Sequence, residues 1–215
     1  MELTKEEIQK VEHYLNIKHI TYIDLRVEVL DHIVSEIEDV MRKEKITFHY
    51  AFATAKQKWN PQLKETTSMF FGLGFSAPKI VIQKAKKVYW KQYVFLLASY
   101  FIPFLLLTHF NFTIENPTEY SFFTLFKGVV IFSFLAFIYM LVFRNYKIET
   151  TYGFILKAQS LGAFTGLIVL AVFFTRLKEL NGINIGMLCS YIYMTISYFH
   201  FYKKHQEAIK KYKIS

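Results

Sequence analysis

Five side chains with the means to do chemistry together lie within nine residues: Glu28, Asp31, His32, Ser35 and Glu36. Their spacings of three and four put them on one face if the stretch is helical. Glu28, His32 and Glu36 are successive i+4 neighbours, and carboxylates with an imidazole suit a divalent ion. No second stretch offers ligands at matching spacing, so neither a metal nor another cofactor is expected. Two readings remain for this face: the solvated back of an amphipathic helix, or a surface that docks a protein partner. Reaction centres of the usual kinds are not legible. There is no Gly-rich phosphate loop, no His-Glu-x-x-His and no nucleophile elbow, and no catalytic residue is expected. Cys189, the single cysteine, allows no internal disulfide and fits a small packing residue.

The elements that carry these residues are helical. Thr4-Lys-Glu-Glu7 fits a capping box, followed by Ile8, Val11 and Leu15 at helical spacing. Thr21-Tyr-Ile-Asp24 is a second start signal of the same kind. The series Ile23, Val27, Leu30, Val34, Ile37 and Met41 predicts one apolar stripe opposite the acidic face. A third helix is expected from Thr47, with Phe48, Ala51, Phe52, Ala55 and Trp59 as its stripe and Asn60-Pro61 as its end. No strand alternation competes. Three such helices can bury their stripes against one another, so residues 1–75 are expected to form a small helical domain.

Leu25-Arg-Val-Glu-Val-Leu-Asp-His-Ile-Val-Ser-Glu-Ile-Glu-Asp39, followed by Thr47-Phe-His-Tyr-Ala-Phe-Ala-Thr-Ala55, resembles the HAAS-type cytoplasmic domain of bacterial membrane proteins. The resemblance covers about a third of the chain. It implies a short helix, a longer helix rich in Asp, His and Glu, and an Ala-rich helix ahead of several spanning segments. It also implies a regulatory or interaction module, sometimes associated with transcriptional control, rather than an enzyme. Trp59-Asn60-Pro61 departs from the Gly-containing turn such domains often carry.

The remainder of the chain is of another kind. The sequence is 53% hydrophobic and 19% aromatic, with a formal net charge of +9. Residues 1–75 carry ten Lys/Arg against twelve Asp/Glu, whereas residues 76–215 carry sixteen against five. The basic excess flanks apolar runs, as membrane-anchoring charge does, which argues against nucleic acid as a partner. Heavy use of Lys, Ile, Phe, Tyr and Asn points to an AT-rich, bacterial genome. Ser76-Ala-Pro78 is expected to start an amphipathic, interfacial linker helix over 76–92, rich in Lys and ending at Tyr89 and Trp90.

Four apolar segments follow at about 93–110, 122–143, 154–174 and 183–202, each near the roughly 20 residues that cross a bilayer. Pro103 is expected to kink the first. Residues 203–215 form a basic tail. The acidic, polar N-terminus lacks the pattern of a secretory signal, so insertion is expected to follow from the first spanning helix. Lysines before the first segment, Arg144, Lys147 and Lys157 after the second, and the basic tail all fall on one side of the membrane if both termini are cytoplasmic. The expected fold class is therefore all-α: a cytoplasmic helical domain joined to a four-helix transmembrane bundle in the inner (cytoplasmic) membrane.

Ala158, Gly162 and Gly166 on the third segment, and Gly182, Gly186 and Ser190 on the fourth, recur every four residues and let helix backbones approach closely. They predict packing between those two segments or, less favoured, a seam between two copies. No Asp or Glu lies mid-segment, and His109 and His200 fall near segment ends. Membrane lipid is one expected partner, and a protein partner or second copy of the chain the other. The favoured function is a non-enzymatic regulatory or assembly protein that docks a partner through its cytoplasmic domain. A small carrier or channel using Gln159 and Asn184 ranks second, and a lipid-modifying enzyme using His109, His200 or Arg144 third.

Overall fold

The computed structural model describes residues 2–116, 121–160, 166 and 179–213. Helices dominate, in the order α1 (Lys5–Ile17), α2 (Ile23–Glu44), α3 (Phe48–Leu63), β1 (Glu65–Ser68), β2 (Gly72–Pro78), α4 (Lys79–His109), β3 (Thr113–Glu115) and α5 (Ser121–Val142). Helical residues 151–160 (α6), β4 (Glu179–Asn181) and α7 (Gly182–Lys213) complete it. The chain divides into two compact units. One gathers the described residues up to Lys87, Tyr146–Phe154 and those from His205 on. The other takes the described residues of Val88–Asn145 and Ile155–Lys204.

In the first unit α1 opens with the expected capping box. Glu7 N–H donates to Thr4 Oγ1 (3.3 Å), and Thr4 N–H donates to the Glu7 carboxylate (2.9 Å). Val11 and Leu15 of α1, Ile33 and Ile37 of α2, and Ala51 and Ala55 of α3 form the core, with Val81 and Ala85 from the start of α4. The stripe on α2 is Leu25, Val29, Ile33, Ile37 and Met41 rather than the one read from the sequence. Val27 is exposed. Two apolar series wind side by side along α2 and merge at Ile37. Periodicity alone does not tell which of them meets α1 and α3; packing does.

Three further expectations are corrected. The second start signal does not close on itself: Tyr22, not Thr21, is the N-cap of α2, and no side chain caps it. Helix α3 runs through Pro61 to Leu63, because a proline in the last turn removes only one intrahelical bond near an end that is already fraying. Ser76-Ala-Pro78 closes β2 instead of opening a helix, and α4 starts one residue later. The β1–β2 pair registers Glu65 with Pro78 and Thr67 with Ser76, then jumps to Ser68 with Gly72. Strands this short and this irregular leave no period-two signature to read.

Helix α4 is continuous across what was expected to be a linker helix and a first span, and it is helical on both sides of Pro103. In the second unit β3 and β4 pair antiparallel, Ile114 opposite Leu180. The small residues of α7 meet α4. A Cβ added at Gly186 would lie 2.8 Å from the Tyr100 carbonyl oxygen, and one at Gly182 would lie 3.0 Å from that of Phe104. Gly182 and Gly186 of α7 thus rest on the first apolar segment. Ala158 is half-buried, Ser190 Oγ donates to the Met187 carbonyl (2.8 Å), Gly166 has Met194 at ordinary contact distance, and Gly162 lies outside the described residues. Most of the third segment lies outside them too.

Among the described residues two helices are long and apolar enough to cross a membrane by length and composition, Lys79–His109 and Phe123–Val142. The fourth segment is helical within α7 and more polar, carrying Asn184, Ser190, Tyr191, Tyr193, Thr195 and Ser197.

Candidate functional site

The acidic face of α2 stays together in the folded chain. Glu28, Asp31, His32 and Ser35 are exposed and Glu36 is half-buried. Two of the five are engaged within the first unit. Glu28 accepts from Lys84 Nζ of α4 (2.8 Å), and this bond holds its carboxyl below the ordinary value of 4.5, against a smaller upward push from burial. Glu36 accepts from Lys58 Nζ (2.5 Å) and from Trp59 Nε1 (2.9 Å), both on α3. These bonds tie α2 to its neighbours. Asp31, His32 and Ser35 remain as the outward part of the face. Among the described residues no group of three or more His, Cys, Asp or Glu side chains is arranged to hold a metal.

A second cluster, which sequence reasoning missed, forms around the start of α2. Asp24 is almost fully buried, and its carboxylate accepts from Thr151 N–H (2.8 Å). The neighbouring backbone is held too: Ile23 N–H donates to the Glu149 carbonyl (3.0 Å), and Thr21 Oγ1 donates to the Glu149 carboxylate. Thr21 and Asp24, read as a local cap, are therefore spent on residues 149–151. Lys84 Nζ also donates to the Asp24 carbonyl (3.2 Å). Tyr22 is buried beside this network. Burial first, then the charges of Glu149, Glu65 and Asp24, push its phenol well above the ordinary range.

Residue 150 completes the cluster. Thr150 Oγ1 accepts from Gly153 N–H (2.9 Å), the bond an N-cap makes with the third residue of its helix. The same oxygen lies 2.8 Å from His205 Nδ1, with Thr150 at 0% and His205 at 1% exposure. Gly153 makes this approach possible: a Cβ there would lie 3.1 Å from His205 Cε1. A hydroxyl on an imidazole has the outline of a nucleophile and its base. Here the oxygen is already occupied by an amide and no substrate could reach it, so the pair is a clamp. It joins residues 150–153 to the last turns of α7, as Asp24 joins them to α2.

Of the polar residues set aside for other activities, His109, His200 and Asn184 have ordinary surroundings, while Arg144 is buried and so is the side-chain oxygen of Gln159. His109 and His200 are exposed, each edge-on to the phenylalanine that follows it. Asn184 Nδ2 donates to the Glu179 carbonyl (2.8 Å), and its N–H to Asn181 Oδ1 (3.2 Å), which fixes the turn between β4 and α7. Thr150 was readable as an N-cap from its type and place. Its partner 55 residues away was not, and no spacing rule connects Asp24 to Thr151.

No family model, curated protein or solved structure matches this chain.

Proposed function

We propose that the chain is a multi-pass membrane protein of the cytoplasmic membrane, without enzymatic activity, whose helical unit docks a protein partner on the cytoplasmic side. One observation carries the membrane part. Of the regions that basic-residue counting assigns to the cytoplasm, the described residues through Lys87, 146–154 and from His205 on fall in a single compact unit, whereas Arg144, Lys157, Lys203 and Lys204 of that count lie just past its borders in sequence. The two connections assigned to the opposite side carry β3 and β4, which pair with each other. Four crossings, with both termini cytoplasmic, account for both groupings.

The apolar helices support the same reading. The core helix of a soluble protein would turn its large side chains inward. Along α4 and α5, Phe95, Ile102, Leu105, Ile131, Phe132 and Leu135 are exposed, Phe132 to 72%. Exposed apolar area on that scale is stable in lipid and not in water. At 1.5 Å per residue α4 is about 46 Å long, more than the ~30 Å hydrocarbon core, so one helix both spans and projects.

The docking part rests on Asp31, His32 and Ser35, which present charge and hydrogen-bonding groups outward while Glu28 and Glu36 brace the helix that carries them. The resemblance to HAAS-type domains belongs to this proposal. Purification in mild detergent from the native membrane tests it. A partner present in proportion to the chain should be lost on Asp31→Lys with Ser35→Lys, with thermal unfolding unchanged. A chain that elutes alone at full yield, or a partner that survives the double substitution, overturns the docking reading.

A further inference from the structure

We propose that the tip of the β1–β2 hairpin is a second membrane contact, inserting its apolar side chains into the headgroup layer of an anionic bilayer. The inference rests on the membrane reading above. The tip sequence, Met69-Phe-Phe-Gly-Leu-Gly-Phe75, is apolar throughout. Its fold keeps part of that surface outside. Phe71 points inward, buried and edge-on to Phe154 at 5.2 Å. Met69 is 87% exposed and Leu73 68%. The register jump between Thr67 and Ser68 leaves residues 73–75 without partners across the ladder, so they bulge from the strand. Gly72 at φ +92° makes the turn, and nothing lies within 4 Å of where a side chain at Gly74 would be. A structured turn that holds a methionine and a leucine in the open is a surface made to be covered.

What covers it is indicated by where the tip lies along α4. Lys86 Nζ sits 5.8 Å from the centre of the Phe70 ring, so the hairpin lies beside the lysine-rich start of α4. One helical turn further on the same helix stand Trp90 and Lys91, both exposed, and then exposed Val94 and Phe95. The stretch of α4 beside the hairpin thus immediately precedes, in sequence, the exposed apolar residues of the same helix. Val81, Ile82 and Ala85 of this helix are buried in the protein, which leaves Lys86 and Lys87 exposed, Lys86 beside the hairpin. Apolar side chains flanked by lysines match an interface of acyl chains below anionic headgroups. The apolar face expected of a linker helix is thus turned inward, and the hairpin supplies the lipid contact in its place.

The test uses the full chain carrying Cys189→Ser and one new cysteine, labelled with an environment-sensitive fluorophore. The chain is reconstituted in phosphatidylcholine vesicles with a minor fraction of phosphatidylglycerol. Met69→Cys and Leu73→Cys probe the tip, Ile131→Cys the middle of α5, and Tyr50→Cys the exposed side of α3. Probes at 69 and 73 should emit at shorter wavelength and be quenched by a nitroxide high on the acyl chain. The probe at 131 should be quenched by a deep nitroxide, and the probe at 50 only by aqueous iodide. Lys86→Glu with Lys87→Glu should weaken quenching at 69; unchanged quenching overturns the electrostatic part. If 69 and 73 behave like 50 while 131 is quenched, the hairpin proposal is overturned and the membrane reading stands. If 131 is not quenched, the membrane reading itself falls and the hairpin proposal with it.

Discussion

Replacing Thr150 with valine removes one oxygen and keeps a branched side chain, so it isolates what the buried hydroxyl does. Two interactions end on that atom: the 2.9 Å bond from Gly153 N–H and the 2.8 Å contact with His205 Nδ1. Loss of an N-cap costs about 1 kcal/mol. Leaving a buried ring nitrogen short of a partner costs roughly 1–3 kcal/mol more. About 3 kcal/mol taken from local opening corresponds to roughly hundredfold faster amide exchange. Hydrogen–deuterium exchange read by mass spectrometry on a peptide covering 146–156, in the detergent-purified chain, measures this directly. Thr150→Val should accelerate exchange at Gly153 by about that factor, while Thr150→Ser, which keeps the oxygen, stays near wild type. Exchange at Gly153 unchanged in Thr150→Val would mean that the hydroxyl holds nothing, and the clamp would have to be abandoned.

Other substitutions read other parts of the account. Gly153→Ala places a methyl 3.1 Å from His205 Cε1 and 3.2 Å from Nδ1, so the imidazole must shift. Protection of the 146–156 peptide should fall, and His205→Ala in the same chain should restore part of it. Gly186→Ala sets a methyl 2.8 Å from a backbone oxygen that cannot rotate away. This variant should lower the thermal unfolding temperature in detergent by several degrees, for a cost of about 1–3 kcal/mol; an unchanged temperature would show that α7 does not pack on α4 there. Glu28 has its folded-state pKa lowered by Lys84, so the stability it adds is present above the ordinary value of 4.5 and fades as pH drops below it. Its side chain is about half exposed (54%), so Glu28→Gln should cost under about 1 kcal/mol at neutral pH, and nothing in strong acid, by pH-dependent thermal melts.

Which parts of this molecule could be read in advance follows from how local their causes are. The capping box at Thr4 and Glu7 closes within four residues, and the sequence displays all of it. The acidic face of α2 follows from spacing alone, and it survives in the structure because the helix does. Thr21 and Asp24 show the opposite. Their types and spacing match a local cap as well as Thr4 and Glu7 do, yet their side chains go to Glu149 and Thr151. A tertiary acceptor or donor of better geometry outcompetes the local one, and nothing within four residues records that it exists. The stripe on α2 failed for a related reason: Val27 and Val29 are equally apolar, and only the position of α1 and α3 decides that Val29 is inside. Gly182 and Gly186 lie against the α4 backbone; a glycine marks where a backbone comes near without naming which one. His205, surrounded by tail lysines in the sequence, gave no sign that it is almost wholly buried.

The proposed membrane topology requires lipid around α4 and α5. Alkaline carbonate extraction of membranes from cells making the full chain tests this most directly, because it strips peripheral proteins and leaves those with lipid-embedded helices. The chain should remain with the membrane pellet and leave it only with detergent. Recovery in the supernatant as a monodisperse species without detergent would contradict the account.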